Sequence, residues 1–179
     1  MFLTTKERHK FKKVIDSLPV PQRLFCRLLY YTGCKPGEAT TFFPNQVCAE
    51  SRTILLGNTG ENLSERSVPV PPALIMELSV HFQTPSNIDR PLWAMSRAKG
   101  WRIINATMNQ AGISGRHATS TGLRHSFAIS CLEIWPRVSF SQIQRWLGHR
   151  SLDLTLSYLK AFVLTDEIDP NLEDLWNHF

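Results

Sequence analysis

An arginine, a histidine and a tyrosine, whose side chains could act together on a phosphate group, follow one another in the C-terminal third of the sequence. Arg124 lies within residues 120–128, His149 ends the stretch 147–149, and Tyr158 follows nine residues later. A guanidinium group is planar and permanently charged, so it can bind two phosphate oxygens at once. A tyrosine hydroxyl can attack an electrophilic centre and form a covalent intermediate. Taken singly, these residues are equally typical of packing and structural ion pairs, so their common spacing carries the interpretation.

Two further segments upstream complete a longer pattern. Residues 28–38 read Leu-Leu-Tyr-Tyr-Thr-Gly-Cys-Lys-Pro-Gly-Glu, and residues 65–71 read Glu-Arg-Ser-Val-Pro-Val-Pro. With the Leu-Arg-His and Leu-Gly-His stretches and the final tyrosine, they resemble in order and spacing the motifs of the tyrosine site-specific recombinases, the phage integrase family. Several motifs in the right order are far more specific than any one of them. The resemblance covers roughly residues 20–160.

The resemblance implies site-specific DNA recombination or integration, by strand cleavage and rejoining through a covalent 3′-phosphotyrosine intermediate. Tyr158 would be the nucleophile that leaves a 5′ hydroxyl, Arg124 a phosphate clamp, and His149 a hydrogen-bond donor to the same phosphate. Because the covalent link retains the energy of the phosphodiester, no ATP, metal ion or other cofactor is expected. The partner would be double-stranded DNA, bound by a homo-oligomer that grows from dimer to tetramer.

Three positions depart from the family pattern. The family's first arginine falls on Lys35, which keeps a positive charge without the forked contact, so Lys35 is either a phosphate ligand or an ordinary turn lysine. A family histidine or lysine falls on Thr121, and the hairpin lysine that acts as general acid falls on Glu61. Loss of one such charge-stabilising donor costs about a hundredfold in rate. The alternative hypothesis is therefore a recombinase-like DNA-binding protein that no longer cleaves and serves as a regulator or accessory factor.

Basic residues outside these motifs are candidate DNA contacts, although a solvated helix face explains such runs equally well. The net charge of +5 and the pI near 9.2 are compatible with a polyanionic partner. Together with one residue of the predicted hairpin, the candidates are Arg66, Lys10, Lys12, Lys13, Arg97, Lys99 and Arg102.

The spacing of apolar residues predicts a mainly helical fold with a small sheet inserted early. The sheet is predicted from 53–56 and 67–70, with 46–48 as the candidate third strand, and 91–93 is a candidate for a further short strand. Helices are predicted at about 5–18, 21–32, 37–43, 71–82, 97–112, 119–133, 143–147 and 152–160.

The predicted fold class is α+β, mainly α-helical: a helical tyrosine-recombinase catalytic domain with a small three-stranded antiparallel sheet near the N-terminal third. This domain would span residues 1–165. An apolar tail helix at 166–179 would pack either on its own core or on a neighbouring protomer. Family members usually carry an additional N-terminal helical domain, so the sequence represents either a minimal recombinase or a fragment of a longer one.

Composition narrows the class of protein further. The 179 residues suit one compact domain, and no apolar run is long enough to span a membrane. The N-terminus lacks the apolar stretch of a secretory signal, which predicts a cytoplasmic protein. The four cysteines are scattered without paired spacing, which favours reduced thiols over a zinc site or a disulfide framework. They are Cys26, Cys34, Cys48 and Cys131.

Overall fold

A computed structural model describes residues 2–57, 65–82, 90–93, 95–133 and 138–163 of the chain, without the side chains of residues 82, 133, 158, 159 and 161–163. These residues form eight α-helices, one 3-10 turn and three β-strands, in a mainly helical fold that confirms the predicted class. The predicted tail helix at 166–179 lies outside the described residues. In chain order the elements are α1 (Thr5–Asp16), α2 (Val20–Thr32), α3 (Pro36–Thr40), the 3-10 turn (Pro44–Gln46), β1 (Val47–Cys48), β2 (Thr53–Leu56), β3 (Arg66–Pro69), α4 (Pro72–Phe82), α5 (Arg97–Gln110), α6 (Ser120–Glu133), α7 (Phe140–Leu147) and α8 (Leu152–Val163).

Two hydrophobic clusters form the core. The larger one joins α1 to α5 and the sheet, and the smaller one joins α6 and α7 with Phe2. Phe127 of α6 and Trp146 of α7 pack against both clusters. The fold is therefore continuous from the sheet to α7, which fixes the C-terminal motifs relative to the N-terminal ones.

The three strands form one antiparallel sheet, as predicted, and their order in the sheet is β1-β2-β3. In β3, Arg66 and Val68 are buried while Ser67 and Pro69 are exposed. Alternate residues of a strand face opposite sides, so Arg66 points toward the core together with Val68. The sheet therefore delivers an arginine side chain into the interior of the protein.

The region of α3 differs from the prediction of a helix over 37–43. The helix ends at Thr40, and Phe43 has extended backbone (φ −109°, ψ 153°) immediately before Pro44. A residue that precedes proline is driven out of the helical region by the proline ring, which explains the early end. Lys35 is extended before Pro36 for the same reason, and it becomes the N-cap of α3.

The prediction of a further strand at 91–93 is wrong. Leu92 donates one backbone hydrogen bond to Phe42 O (2.7 Å), and these residues do not pair with any strand of the described sheet. Pro91 has no N–H and cannot extend a ladder. The segment instead buries Trp93, whose Nε1 donates to Ala39 O (2.6 Å).

Two helices end on glycines in the left-handed region, and both ends lie near the candidate site. Gly33 (φ 59°) follows α2 and Gly148 (φ 67°) follows α7. A Cβ on Gly33 would lie 2.6 Å from Phe127 Cδ1, so this position admits no side chain unless Phe127 moves. In the part of the chain that the structure describes, no helix is long and apolar enough to cross a membrane.

Candidate active site

The candidate residues come from four elements that meet at the ends of α2 and α7. Lys35 is the exposed N-cap of α3, Arg124 lies half-buried on α6, and His149 directly follows the C-cap of α7. Tyr158 lies on α8, and its side chain is not described. Thr121 is exposed in the first turn of α6, and Glu61 lies outside the described residues.

Arg124 joins the C-terminal ends of two helices. Its Nη1 donates to Gly33 O (2.8 Å) and its Nη2 donates to Leu147 O (2.6 Å). The last carbonyls of a helix lack intrahelical donors and carry the negative end of the helix dipole. A guanidinium group at this point therefore satisfies both ends at once, and it holds α2 and α7 in a fixed relation.

Arg66 forms a second such junction, which sequence reasoning did not anticipate. Its Nη1 and Nη2 donate to the two carboxylate oxygens of Glu38 (2.6 and 2.8 Å), and its Nε donates to Trp146 O (2.8 Å). The guanidinium also packs on Gly148, where a Cβ would meet Arg66 Cζ at 3.3 Å. With 7% of its side chain exposed, Arg66 has internal partners, and its predicted contact with DNA stays a prediction.

Glu38 is the residue of this site to which sequence reasoning gave no role. Besides the two bonds from Arg66, the Glu38 carboxylate accepts a hydrogen bond from Lys35 N (2.7 Å) at the start of α3. Although burial opposes its charge, the Arg66 guanidinium lowers the pKa of this carboxyl. The position of Glu38 three residues after the first residue of the turn was the signal that the sequence offered for the Lys35 contact. The contact with Arg66 had no such signal, because the predicted strand began at residue 67.

His149 is held by Thr155 and is surrounded by positive charge. Its Nδ1 lies 3.0 Å from Thr155 Oγ1, on α8. Burial, and after it the positive charges of Arg124, Lys35 and Arg66, lower the pKa of the imidazole to about 4. The ring is therefore neutral near pH 7, and it lies within the electrostatic reach of three cations.

The other predicted DNA contacts lie on α1 and α5. On α1, Lys10 and Lys13 are exposed and Lys12 pairs with Asp16 (3.2 Å). On α5, Lys99 is exposed, and the exposed Arg97 has its Nη2 3.6 Å from where a Cβ on Gly37 would lie. This contact brings Arg97 next to the α3 turn, which begins with Lys35.

Arg102 is also exposed on α5, where its Nε donates to Ala98 O (3.4 Å).

Within the described residues, no group of three or more His, Cys, Asp or Glu side chains comes together as metal ligands would.

The lowered pKa of His149 predicts acid lability of the fold. Between about pH 6.5, where an unfolded histidine titrates, and about pH 4, the unfolded chain binds a proton that the folded chain does not. The free energy of unfolding should therefore fall as the pH falls through this window. Urea unfolding across it should show a shallower pH dependence for His149→Gln than for the wild type. If His149→Gln keeps the pH dependence of the wild type, the assignment is contradicted. His9→Gln, which replaces an exposed histidine, is the matched control.

Comparison with known proteins gives the same assignment as the motifs. Residues 1–163 match the family described as phage integrase family. The chain is 30% identical over 168 residues to the tyrosine recombinase XerA of Pyrococcus furiosus, covering 89% of this chain and 57% of the relative. It is 27% identical over 157 residues to the tyrosine recombinase XerD of Mycobacterium leprae, covering 79% and 48%. The chain thus spans about half the length of the curated relatives it matches.

Solved structures share the fold. The crystal structure of XerA recombinase superposes with a TM-score of 0.78 at 22% identity, covering 99% of this chain and 64% of the other. The catalytic domain of bacteriophage HP1 integrase gives a TM-score of 0.64 at 21% identity, covering 94% and 98%. XerH site-specific recombinase bound to its difH substrate gives 0.72 at 22% identity, covering 92% and 52%. At these identities the likeness concerns the fold, which is that of a recombinase catalytic domain.

Proposed function

Since this chain belongs to the phage integrase family, we propose that it cleaves and rejoins double-stranded DNA at specific sites through a covalent 3′-phosphotyrosine at Tyr158. The surroundings of His149 carry the proposal. The ring lies in the field of Arg124, Lys35 and Arg66, and it bonds to the helix on which Tyr158 lies. A phosphodiester bound among these cations would lie beside the helix of the nucleophile.

The proposed reaction has two mirrored steps. The Tyr158 hydroxyl attacks phosphorus, an O–P bond to the phenolic oxygen forms, and the bond from phosphorus to the 5′ oxygen breaks. The phenol loses a proton and the leaving 5′ oxygen gains one, so the step is balanced without a cofactor. A 5′ hydroxyl from the partner strand then reverses the reaction and releases Tyr158. Because one phosphodiester is exchanged for one phosphotyrosine, no external energy source is needed.

Charge stabilisation would come mainly from Arg124 and His149. The pentacovalent phosphorus carries additional negative charge on its non-bridging oxygens, and prearranged donors stabilise it more than the ground state. Arg124 is prearranged because two helix ends hold its guanidinium. A neutral His149 would donate one hydrogen bond, and Lys35 would add charge from the exposed start of α3.

The proposed partner is double-stranded DNA, on which two protomers would bind inverted half-sites. This dimer would pair with a second such dimer into a tetramer, within the cytoplasm. XerH, which shares the fold, has been solved bound to its difH substrate. Phosphate contacts made by basic side chains release counterions, so binding should weaken steeply with salt. The exposed or partly exposed candidates for these contacts are Lys10, Lys12, Lys13, Arg97, Lys99 and Arg102.

A covalent trapping experiment tests the proposal. A pool of nicked duplexes carrying randomised inverted repeats would be incubated with the full chain, and protein-linked DNA recovered after denaturation would be sequenced. The nick lets a short fragment diffuse away, so cleaved product accumulates as adduct. We expect wild-type protein to yield an adduct enriched in one repeat sequence, and Tyr158→Phe to yield none.

The same experiment separates the alternative function. The departures at Lys35, Thr121 and Glu61 motivate a DNA-binding protein that no longer cleaves. That protein would bind duplexes in a salt-dependent manner, equally well as wild type and as Tyr158→Phe, without any adduct. An adduct formed equally well by Tyr158→Phe would refute the assignment of the nucleophile.

A further inference from the structure

Thr155 is a buried polar residue of the helix that carries Tyr158, and it contacts His149 of the candidate site. It lies in α8 one helical turn before Tyr158, and its side chain is fully buried. Its Oγ1 lies 3.0 Å from His149 Nδ1 and 3.5 Å from Ser151 O. A buried hydroxyl needs a hydrogen-bond partner, so these two contacts decide where its proton goes.

The distances favour donation from the hydroxyl to the ring. Hydroxyl donors normally lie within about 3.0 Å of an oxygen acceptor, so the 3.5 Å contact with Ser151 O is weak. The 3.0 Å contact with His149 Nδ1 is a normal hydrogen bond. If Thr155 donates to Nδ1, that nitrogen carries no proton, and the proton of the neutral ring is on Nε2.

The placement of that proton matters for the chemistry of a phosphate. A ring with N–H at Nε2 can donate a hydrogen bond to a phosphate oxygen, whereas the other tautomer presents a lone pair that repels it. The cations around His149 oppose a second proton, so the tautomer decides whether the ring is a donor. The hydrogen bond to Thr155 also links the imidazole, which follows α7, to α8, the helix that carries Tyr158.

We propose that Thr155 is a positioning residue, which holds His149 in the Nε2–H tautomer and fixes it against the helix that carries Tyr158. The role in catalysis rests on the proposed DNA cleavage, whereas the tautomer can be measured without DNA. Thr155→Val keeps the branched shape and removes the hydroxyl, and Thr155→Ser keeps the hydroxyl, so the pair separates hydrogen bonding from packing.

The first measurement is the NMR correlation of the His149 ring protons with its ring nitrogens in the full chain near pH 7. Wild type and Thr155→Ser should show an unprotonated Nδ1 and a protonated Nε2, and Thr155→Val should show a mixture. Wild-type His149 protonated at Nδ1, or an unchanged tautomer in Thr155→Val, would overturn the proposal whether or not the protein cleaves DNA.

The second measurement is the rate of adduct formation on the nicked duplex of the trapping experiment. We expect Thr155→Val to slow it roughly fivefold to tenfold, as loss of one hydrogen bond would, and Thr155→Ser to restore it. In a His149→Ala background, Thr155→Val should have no further effect, because Thr155 acts through the ring. An equal loss in both backgrounds would overturn the positioning role. The expected tautomers without an adduct in any variant would support the proton placement and refute the proposed function.

Discussion

Glu38→Gln is expected to lower the free energy of unfolding by about 3 to 5 kcal/mol, because it leaves the buried Arg66 guanidinium without its counter-charge. The Glu38 and Arg66 side chains are 10% and 7% exposed, so water cannot replace the lost carboxylate. The amide also presents an NH₂ group to one of the two guanidinium donors that now reach carboxylate oxygens. Urea unfolding near pH 7 measures the change.

A matched control uses another carboxylate that contacts arginines. Glu77 pairs with Arg27 and Arg23, but its side chain is 32% exposed. Because solvent screens such a pair, Glu77→Gln should cost only about 1 kcal/mol. If Glu38→Gln lowers the free energy of unfolding no more than Glu77→Gln does, the buried pair of Arg66 and Glu38 does not stabilise the site as we infer.

Arg124→Lys is expected to slow adduct formation by about a hundredfold to a thousandfold. A lysine ammonium is a single point of charge, so it cannot hold both Gly33 O and Leu147 O while also offering a forked pair of donors to phosphate. The rate of the first turnover on the trapped duplex measures the effect, with DNA binding determined separately so that the two are not confused.

The control for this substitution is Arg102→Lys. Arg102 is exposed on α5, where its described hydrogen bond is to Ala98 O of its own helix. A lysine at this position keeps the positive charge of the proposed DNA contact, so the rate should change by less than about threefold. If Arg124→Lys stays within tenfold of the wild-type rate, Arg124 serves the helix ends and not the reaction.

Local sequence signals predicted most of the fold because each element has its own apolar period. The short apolar segments at 53–56 and 67–70 predicted the paired strands, and the predicted helices 21–32 and 143–147 end at the same residues as α2 and α7. The two local errors, at α3 and at 91–93, both involve prolines whose effect on the neighbouring backbone outweighed the apolar pattern.

The candidate site was only partly accessible from sequence. Family motifs singled out Arg124 and His149 as candidates, but the hydrogen-bond partners of these residues come from packing between distant elements. The bond from Thr155 to His149 depends on how α8 lies against α7, and the contact of Arg66 with Glu38 joins residues 28 positions apart. No local pattern specifies such contacts. Arg66 was therefore predicted as a DNA contact without any sign of its internal partners, Glu38 and the carbonyl of Trp146.

The central claim is that Tyr158 forms the covalent link to DNA, and peptide mapping of the trapped adduct tests it most directly. Trypsin cuts after Arg150 and Lys160, so Tyr158 is the only tyrosine in the peptide 151–160, while Tyr30 and Tyr31 fall in another peptide. Mass spectrometry after nuclease digestion should find the residual nucleotide on Tyr158. A nucleotide on the peptide with Tyr30 and Tyr31, or no nucleotide-linked peptide from any duplex in the pool, would contradict the account.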